Sequence, residues 1–287
     1  MIAAGLPVYT GAAKLANDNR DQGCPMSNHE LILLRDADRV RTLTLNRPEA
    51  LNAFNDALYD AAGDALRAAA ADDGVAVVIL TGAGRAFTAG QDLEEMANPR
   101  RHGDGEPHGF PYFMDVVSDF PKPLIAAVNG LGVGIGLTLL PHCDFVLISD
   151  QARLRAPFAT LGVTVEAGNS YLLPERIGWT NAAHLLYTAE WLDADTCVAL
   201  GLAWKKIPAA ELMDAAQALA QPIAMMPISS LVHTRRLLLA PRREAIAAAR
   251  ARETKAFAEL VGAPANREAI QAFREKRPPD FTRLPAP

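Results

Sequence analysis

The chain has 287 residues, 50% of them hydrophobic, and a formal net charge of −5 at pH 7. This length and composition suit one large globular domain with a sizeable core. The negative balance argues against a nucleic-acid partner and against an anionic membrane surface. Three widely spaced cysteines, Cys24, Cys143 and Cys197, form no C-x-x-C pair. They indicate neither a disulfide framework nor a zinc site.

The N-terminal residues 1–26 are rich in Ala, Gly and Asn and have no sustained hydrophobic period, which predicts a disordered tail. No apolar run reaches the roughly 18 residues that span a bilayer. The pattern of a secretory signal, a basic patch followed by a continuous apolar segment, is also missing. We therefore expect a cytoplasmic protein without membrane association.

The first predicted elements are a hairpin and a helix. Residues 31–34 and 40–45 are β-prone runs on either side of the polar residues 36–39, which predicts a β-hairpin. An amphipathic helix is predicted to begin at Asn52, its N-cap, and to close at Gly74. Its apolar positions are Phe54, Leu58, Ala62, Leu66 and Ala69.

Three continuous apolar runs follow, over residues 75–80, 124–128 and 145–148. They are too short for helices, so each is predicted to be a strand buried on both faces. Strands that alternate with helices predict parallel pairing and an α/β core.

Two glycine-rich stretches follow two of these strands: RAFTAGQDL (residues 85–93) and NGLGVGIG (residues 129–136). Ligands of open α/β sheets bind beyond the carboxyl ends of strands. Backbone N–H groups held in rigid turns can stabilise a developing oxyanion, and glycine permits the close approach. The motifs typical of NAD, phosphate-loop, serine-hydrolase and zinc sites are missing. The two stretches therefore predict one oxyanion hole and no metal.

Residues 96–113 carry several glycines and prolines and mixed charges, which predicts a mobile loop or broken helix beside a substrate pocket. After Pro208 the pattern becomes helical, and the division predicted is an α/β core over residues 27–208 followed by a helical region over 209–287. Helices are predicted over residues 211–220, 229–239, 244–260 and 266–275.

Four segments in order resemble the enoyl-CoA hydratase/isomerase (crotonase) superfamily: LNRPEALNA (45–53), GRAFTAGQDL (84–93), PLIAAVNG (123–130) and AFREKR (272–277). The resemblance implies an α/β fold with a core of repeated β-β-α units and a C-terminal helical trimerisation region. It also implies a homotrimer or a hexamer (dimer of trimers) and an acyl-CoA thioester substrate. CoA is then part of the substrate, and no separate cofactor is expected.

The same resemblance assigns candidate site residues. The oxyanion donors fall on the backbone N–H groups of Gln91 and Ile135, and Phe273 and Lys276 match residues that contact CoA, often across a subunit interface. Glu49 and Glu94 stand where some members carry lysines near the CoA phosphates. The full set expected to contact the CoA thioester is Ala50, Leu51, Ala89, Gly90, Asp92, Leu93, Gly134, Thr138, Phe158, Phe273 and Lys276.

The acid/base residues depart from the hydratase pattern. Hydratases of this superfamily hold a water between two glutamates, whose places here are taken by Thr138 and Phe158. Neither side chain can transfer a proton in that role. Glu166, in LGVTVEAGNS (residues 161–170), instead resembles the proton-shuttling glutamate of Δ3-Δ2-enoyl-CoA isomerases. We predict Glu166 as the single acid/base, with a pKa raised by apolar surroundings.

Alternatives remain open on the sequence alone. Glu166 can also be explained as a carboxylate near the start of a helix that begins about Asn169. The reaction can instead be hydration with an unusual arrangement of water, or isomerisation of a ring or of a carbon–carbon bond. In these reactions Thr138 would bind the substrate. A CoA-thioester-binding protein without turnover would also lack both glutamates. His142 and Asp144 are predicted to be structural.

Overall fold

A computed structural model of the chain describes residues 31–92, 94–95 and 108–284. The predicted N-terminal tail, Leu93 and residues 96–107 of the predicted loop lie outside the described residues. The strands, in chain order, are β1 (Ile32–Ala37), β2 (Val40–Leu45), β3 (Val77–Gly82), β4 (Ala86–Thr88), β5 (Leu124–Val128), β6 (Leu131–Val133), β7 (Phe145–Ser149), β8 (Arg153–Arg155), β9 (Leu192–Asp193) and β10 (Lys205–Ile207).

Helices alternate with these strands and then dominate the C-terminal part. They are α1 (Asp56–Ala71), α2 (Gly109–Ser118), α3 (Ile135–Thr138), α4 (Asn169–Ile177), α5 (Trp179–Thr188), α6 (Ala194–Ala199), α7 (Leu212–Ala224), α8 (Ile228–Leu260) and α9 (Pro264–Arg274). Short 3-10 turns lie at Pro48–Ala50, Leu140–His142, Ala159–Leu161 and Ala209–Glu211.

The strands form two sheets. The larger has the order β1-β2-β3-β5-β7-β10 and the smaller the order β4-β6-β8-β9. The β1–β2 hairpin is antiparallel, as predicted, and its first strand extends further than predicted because the turn consists of Asp38 and Arg39 alone. Both have positive φ, the conformation of a two-residue hairpin turn. The predicted parallel pairing of the three apolar strands is confirmed.

Burial on both faces explains why these strands are continuously apolar. Val77 and Ile79 of β3 pack in a cluster with α7, whereas Val78 and Leu80 point into the larger cluster that includes α1 and α2. Successive strand residues face opposite sides, so a strand covered on both sides needs apolar residues throughout. Helix α7 therefore lies against the core sheet of its own chain.

The first helix begins later than predicted, and Asn52 is not its N-cap. Helix α1 begins at Asp56, and its N-cap is Asn55, whose side-chain oxygen accepts a hydrogen bond from the Leu58 N–H (2.9 Å). Asn52 is fully buried. Its backbone adopts the left-handed conformation, at φ 56°. Its amide nitrogen donates to the Ala86 carbonyl (2.8 Å), so it joins two loops instead of capping a helix.

Replacing Asn55 with alanine is expected to lower the free energy of unfolding by about 1 kcal/mol, because the Leu58 N–H loses its acceptor. The shift of the urea unfolding midpoint measures this loss. An unchanged midpoint would contradict the assignment of the cap.

Two further predictions about helices are wrong. Residues 109–113, predicted to be part of a mobile loop or broken helix outside the core, begin helix α2, because Tyr112 and Phe113 are buried and pack α2 against α1. The predicted helices 229–239 and 244–260 are one 33-residue helix, α8, with Pro241 inside it. Ion pairs of Arg235 with Asp144 (2.8 Å) and of Arg242 with Glu175 (3.0 Å) hold both sides of the proline to the core. Such tertiary contacts offset the hydrogen bond that proline removes from the helix.

Within the described residues, no single helix is long and apolar enough to cross a membrane. The stretch Ala209–Ala224 and helix α8 meet the length and composition criteria only as a pair, across a bend of 105°.

Candidate active site

The two glycine-rich stretches lie side by side because β4 and β6 pair in parallel. Beyond the strands, Gly90 has φ +94° and Gly134 has φ +55°. A Cβ atom at Gly90 would lie 2.8 Å from the carbonyl oxygen of Val133, in the neighbouring stretch. Only glycine combines this backbone conformation with this contact. The residues that follow, Gln91 and Ile135, are thereby brought close to each other.

The backbone N–H groups of Gln91 and Ile135 differ from those around them. The Gly90 N–H donates to the Thr88 hydroxyl (3.1 Å), and the Gly134 N–H donates to the Arg155 carbonyl (3.0 Å). Among residues 31–92, 94–95 and 108–284, neither Gln91 nor Ile135 has an acceptor for its N–H. Ile135 is the first residue of α3, where helical N–H groups lack an intrahelical partner. The arrangement offers two neighbouring backbone donors.

A cavity of about 500 Å³ opens beside Gln91. Its other walls are Glu166 with Ala167, Phe110 with Pro111 of α2, and the side of α8 that carries Glu253 and Phe257. Most of the lining is apolar, and Glu166 is partly accessible within it. The structure thus brings the predicted base and one predicted oxyanion donor to the same cavity.

The surroundings of Glu166 alter its acidity. Burial, reinforced by the negative charge of Glu253, raises the pKa of Glu166 from 4.5 to about 7. A hydrogen bond with the Thr138 side chain acts in the opposite direction. Thr138 is fully buried on α3, where its hydroxyl also lies 3.3 Å from the Gly134 carbonyl oxygen. A carboxyl group with this pKa can both take and return a proton near neutral pH.

The backbone that carries Glu166 is held from several sides. Ala167 has a positive φ of 62°, which is uncommon for a residue with a side chain, and its carbonyl lies 2.8 Å from Nε2 of His142. Burial lowers the pKa of His142 to about 4, so the neutral ring donates this hydrogen bond. The amide nitrogen of Asn169 donates to the Thr138 carbonyl (2.8 Å). His142 therefore supports the segment, in agreement with the structural role predicted for it.

Tyr59 of α1 is a site neighbour that the sequence did not reveal. Its hydroxyl donates to the Oε1 atom of Gln91 (3.0 Å), and its ring is fully buried. Burial first, and then the charge of Glu166, raise the pKa of Tyr59 well above 10, so it remains a neutral donor. In the sequence Tyr59 looks like any apolar position of an amphipathic helix, and only its contact with Gln91 distinguishes it.

A second, open cavity of about 260 Å³ lies next to the 45–53 segment. Leu51, whose carbonyl accepts a hydrogen bond from the Ala89 N–H (2.9 Å), lines it together with Arg85 and Arg153. Both arginines are exposed. The sequence does not single them out, because arginines on a surface form no motif by themselves.

The remaining predicted residues have other surroundings. Phe158 is buried in the hydrophobic core, and Asp92 pairs with Arg47 (3.3 Å). Phe273, on α9, is 62% exposed, and Lys276 follows that helix on the surface. None of these four lines the cavity that contains Glu166. Contact of Phe273 and Lys276 with CoA across a subunit interface stays a prediction.

The part of the chain that the structure describes contains no group of three or more His, Cys, Asp or Glu side chains that could hold a metal ion. Asp144, predicted to be structural, accepts hydrogen bonds from the Leu124 N–H and from Arg235 (2.8 Å each).

The two mainly parallel sheets, the helical C-terminal region and the paired glycine turns define an α/β protein of the crotonase class. A family model described as enoyl-CoA hydratase/isomerase matches residues 35–284, and the chain belongs to that family. The crystal structure of an enoyl-CoA hydratase/isomerase from Pseudoalteromonas atlantica T6c superimposes with a TM-score of 0.84 at 35% identity, covering 88% of this chain and 100% of the other. The predicted fold class and family are therefore confirmed.

The names of two relatives refer to more than one reaction. The chain is 34% identical over 260 residues to 1,2-epoxyphenylacetyl-CoA isomerase of Escherichia coli, covering 88% of this chain and 98% of the relative. It is 35% identical over 255 residues to 2,3-dehydroadipyl-CoA hydratase of the same organism, with the same coverage. The family is that of acyl-CoA enzymes, and relatives include both an isomerase and a hydratase.

Proposed function

We propose that this protein isomerises the double bond of an enoyl-CoA thioester through an enolate, with Glu166 as the single acid/base. The observation that carries the proposal is that Glu166 shares the 500 Å³ cavity with Gln91. Thr138 and Phe158, which replace the two hydratase glutamates, supply no carboxylate there. One carboxylate is sufficient for proton transfer between two carbons, whereas hydration by the usual route needs two. The other carboxylate in the cavity wall, Glu253, accepts hydrogen bonds from the Gly168 and Ser170 N–H groups, so Glu166 is the carboxylate assigned to proton transfer.

The proposed reaction has two proton transfers. Glu166 removes a proton from C2 of a 3-enoyl thioester, and the electrons move to the thioester oxygen, which becomes an enolate. The N–H groups of Gln91 and Ile135 hold that oxygen, and each such donor typically contributes about 3–4 kcal/mol to the transition state. Glu166 then returns the proton at C4, and the double bond lies between C2 and C3.

The surroundings of the cavity support an apolar acyl group. Phe110 of α2 and Phe257 of α8 both line its wall. The polar end of CoA carries phosphates, and the exposed guanidinium groups of Arg85 and Arg153 beside Leu51 are suitable partners for them. We further propose a trimer or hexamer in which Phe273 and Lys276 of a neighbouring chain complete the CoA site. A cytoplasmic location stays a prediction.

Separate incubations with 3-hexenoyl-CoA and 2-hexenoyl-CoA test the reaction. We expect the absorbance of the conjugated thioester to appear with the first substrate, and the second not to be hydrated. Loss of that absorbance from 2-hexenoyl-CoA, without conversion of 3-hexenoyl-CoA, would identify a hydratase. Binding of both esters without turnover would identify a protein that only binds CoA thioesters. Either result would contradict the proposal.

The pH dependence of kcat follows from the pKa of Glu166. Because that pKa is raised from 4.5 to about 7, the carboxyl group is protonated below pH 7 and cannot accept the C2 proton. We expect kcat to rise with pH and to level off above about 7. Stopped or continuous assays between pH 5 and 9, about two units on each side of that value, measure this limb. A flat profile down to pH 5 would contradict a base in these surroundings.

A further inference from the structure

Helix α8 carries a second carboxylate, Glu253, which contacts the segment that carries Glu166. Glu253 is only 6% exposed, and both of its oxygens act as acceptors. Oε2 accepts from the Gly168 N–H and Oε1 from the Ser170 N–H, each at 2.6 Å. These contacts join residues more than 80 positions apart in the sequence. Glu253 also lines the cavity that contains Glu166.

The segment that Glu253 holds needs support. Ala167 and Gly168 both have positive φ, at 62° and 78°, so the backbone turns sharply directly after Glu166. An alanine with positive φ is strained, and this conformation persists only where surrounding contacts maintain it. His142 holds the Ala167 carbonyl from one side. Glu253 holds two N–H groups from the other, at the start of α4, where the helix dipole favours a negative charge.

We propose that Glu253 is a positioning residue for the base: its carboxylate holds the Glu166–Ser170 segment in place and keeps a fixed negative charge beside Glu166. This inference rests on the proposed function of Glu166. The fixed charge discourages ionisation of Glu166 and so maintains it as a stronger base. The hydrogen bonds of Glu253 with the Gly168 and Ser170 N–H groups direct the carboxyl group of Glu166 into the cavity, next to Gln91.

Other titratable groups near Glu166 cannot replace this charge. Arg250, on the same helix and in the cavity wall, forms an ion pair with Asp115 of α2 (2.8 Å). Tyr59 of α1 and His142 are neutral, because burial raises the pKa of the first and lowers that of the second. Glu253 is the charged group with the largest effect on the pKa of Glu166.

The variant Glu253→Gln tests the proposal. It keeps the size of the side chain but removes the charge and places an amide donor opposite a backbone N–H. We expect kcat to fall about 10-fold, because the base is less well placed, and KM to change little. The acidic limb of the kcat profile should move to lower pH by about one unit, a shift that loss of stability alone would not produce.

Glu259→Gln is the matched control, since it removes the same charge from an exposed position of the same helix. It should retain the wild-type kcat and pH profile. Wild-type kcat and an unmoved acidic limb in Glu253→Gln would overturn the proposal. If Glu253→Gln does not fold, Glu253→Asp decides, because it keeps the charge but draws it back from the N–H groups. The kcat of Glu253→Asp should fall, while the acidic limb of its pH profile should remain at the wild-type position. A wild-type kcat in Glu253→Asp would overturn the positioning role.

A direct titration separates this inference from the proposed function. Carbon-13 NMR of the labelled Glu166 carboxyl group should report a lower pKa in Glu253→Gln than in the wild type, even if the isomerase reaction proves wrong. If the pKa of Glu166 is the same in Glu253→Gln as in the wild type, the role proposed for Glu253 is rejected, but the proposed isomerase reaction is not. Full isomerase activity in Glu166→Gln would reject Glu166 as the base.

Discussion

Replacing Glu166 with glutamine is expected to lower kcat for 3-hexenoyl-CoA isomerisation by about 10³-fold or more, with little change in KM. Glutamine occupies nearly the same volume but cannot accept a proton, and both proton transfers are assigned to this one group. General acid/base catalysis by a positioned side chain typically contributes about 10²- to 10⁴-fold. Initial rates, followed by the absorbance of the conjugated thioester, measure the loss.

The side chain's surroundings make this substitution informative. Thr138 can hydrogen-bond to a glutamine as well as to a carboxyl group, and the substitution adds no charge beside Glu253. The variant is therefore expected to fold and to bind CoA esters normally. Glu259→Gln, which alters an exposed carboxylate on α8, is the control and should keep full activity. A Glu166→Gln protein with wild-type kcat would show that another group is the base.

Replacing Gly90 with alanine is expected to lower kcat by about 10²- to 10³-fold, the loss typical of one oxyanion donor. The new Cβ would lie 2.8 Å from the Val133 carbonyl oxygen, in a backbone at φ +94°. The turn must shift to relieve this contact, and the N–H of the next residue, Gln91, shifts with it. Positive φ in a residue with a side chain also costs about 1–3 kcal/mol of stability. Steady-state kinetics and urea unfolding measure the two effects.

Gly178→Ala separates strain from catalysis. Gly178 also has positive φ, at +81°, but a Cβ atom there would have no neighbour within 4 Å. The control should therefore lose stability through its backbone and keep its kcat. If Gly90→Ala retained full kcat, the Gln91 N–H would not be an oxyanion donor. If Gly178→Ala lost kcat equally, the loss at Gly90 would reflect general destabilisation.

Short sequence patterns correctly predicted the strands and turns whose conformation depends mainly on residues that are adjacent in the chain. The hairpin and the buried strands β3, β5 and β7 follow from runs of β-prone and apolar residues, because a strand covered on both faces needs apolar side chains at every position. The errors occur where distant contacts decide. Pro241 predicts a break in α8, yet Arg235 and Arg242 tie the helix to the core on both sides of it.

The candidate site shows the same division. The sequence by itself determined the family and the two glycine-rich stretches, and it led to the proposal of Glu166 as the base, since each depends on residue types at fixed spacing. Only the tertiary structure decided that Glu166 and Gln91 share a cavity, and that Tyr59 and Glu253 stand beside them. The physical reason is that a tyrosine or glutamate on an amphipathic helix has no local signature. Its partner is chosen by the packing of helices that are far apart in the chain.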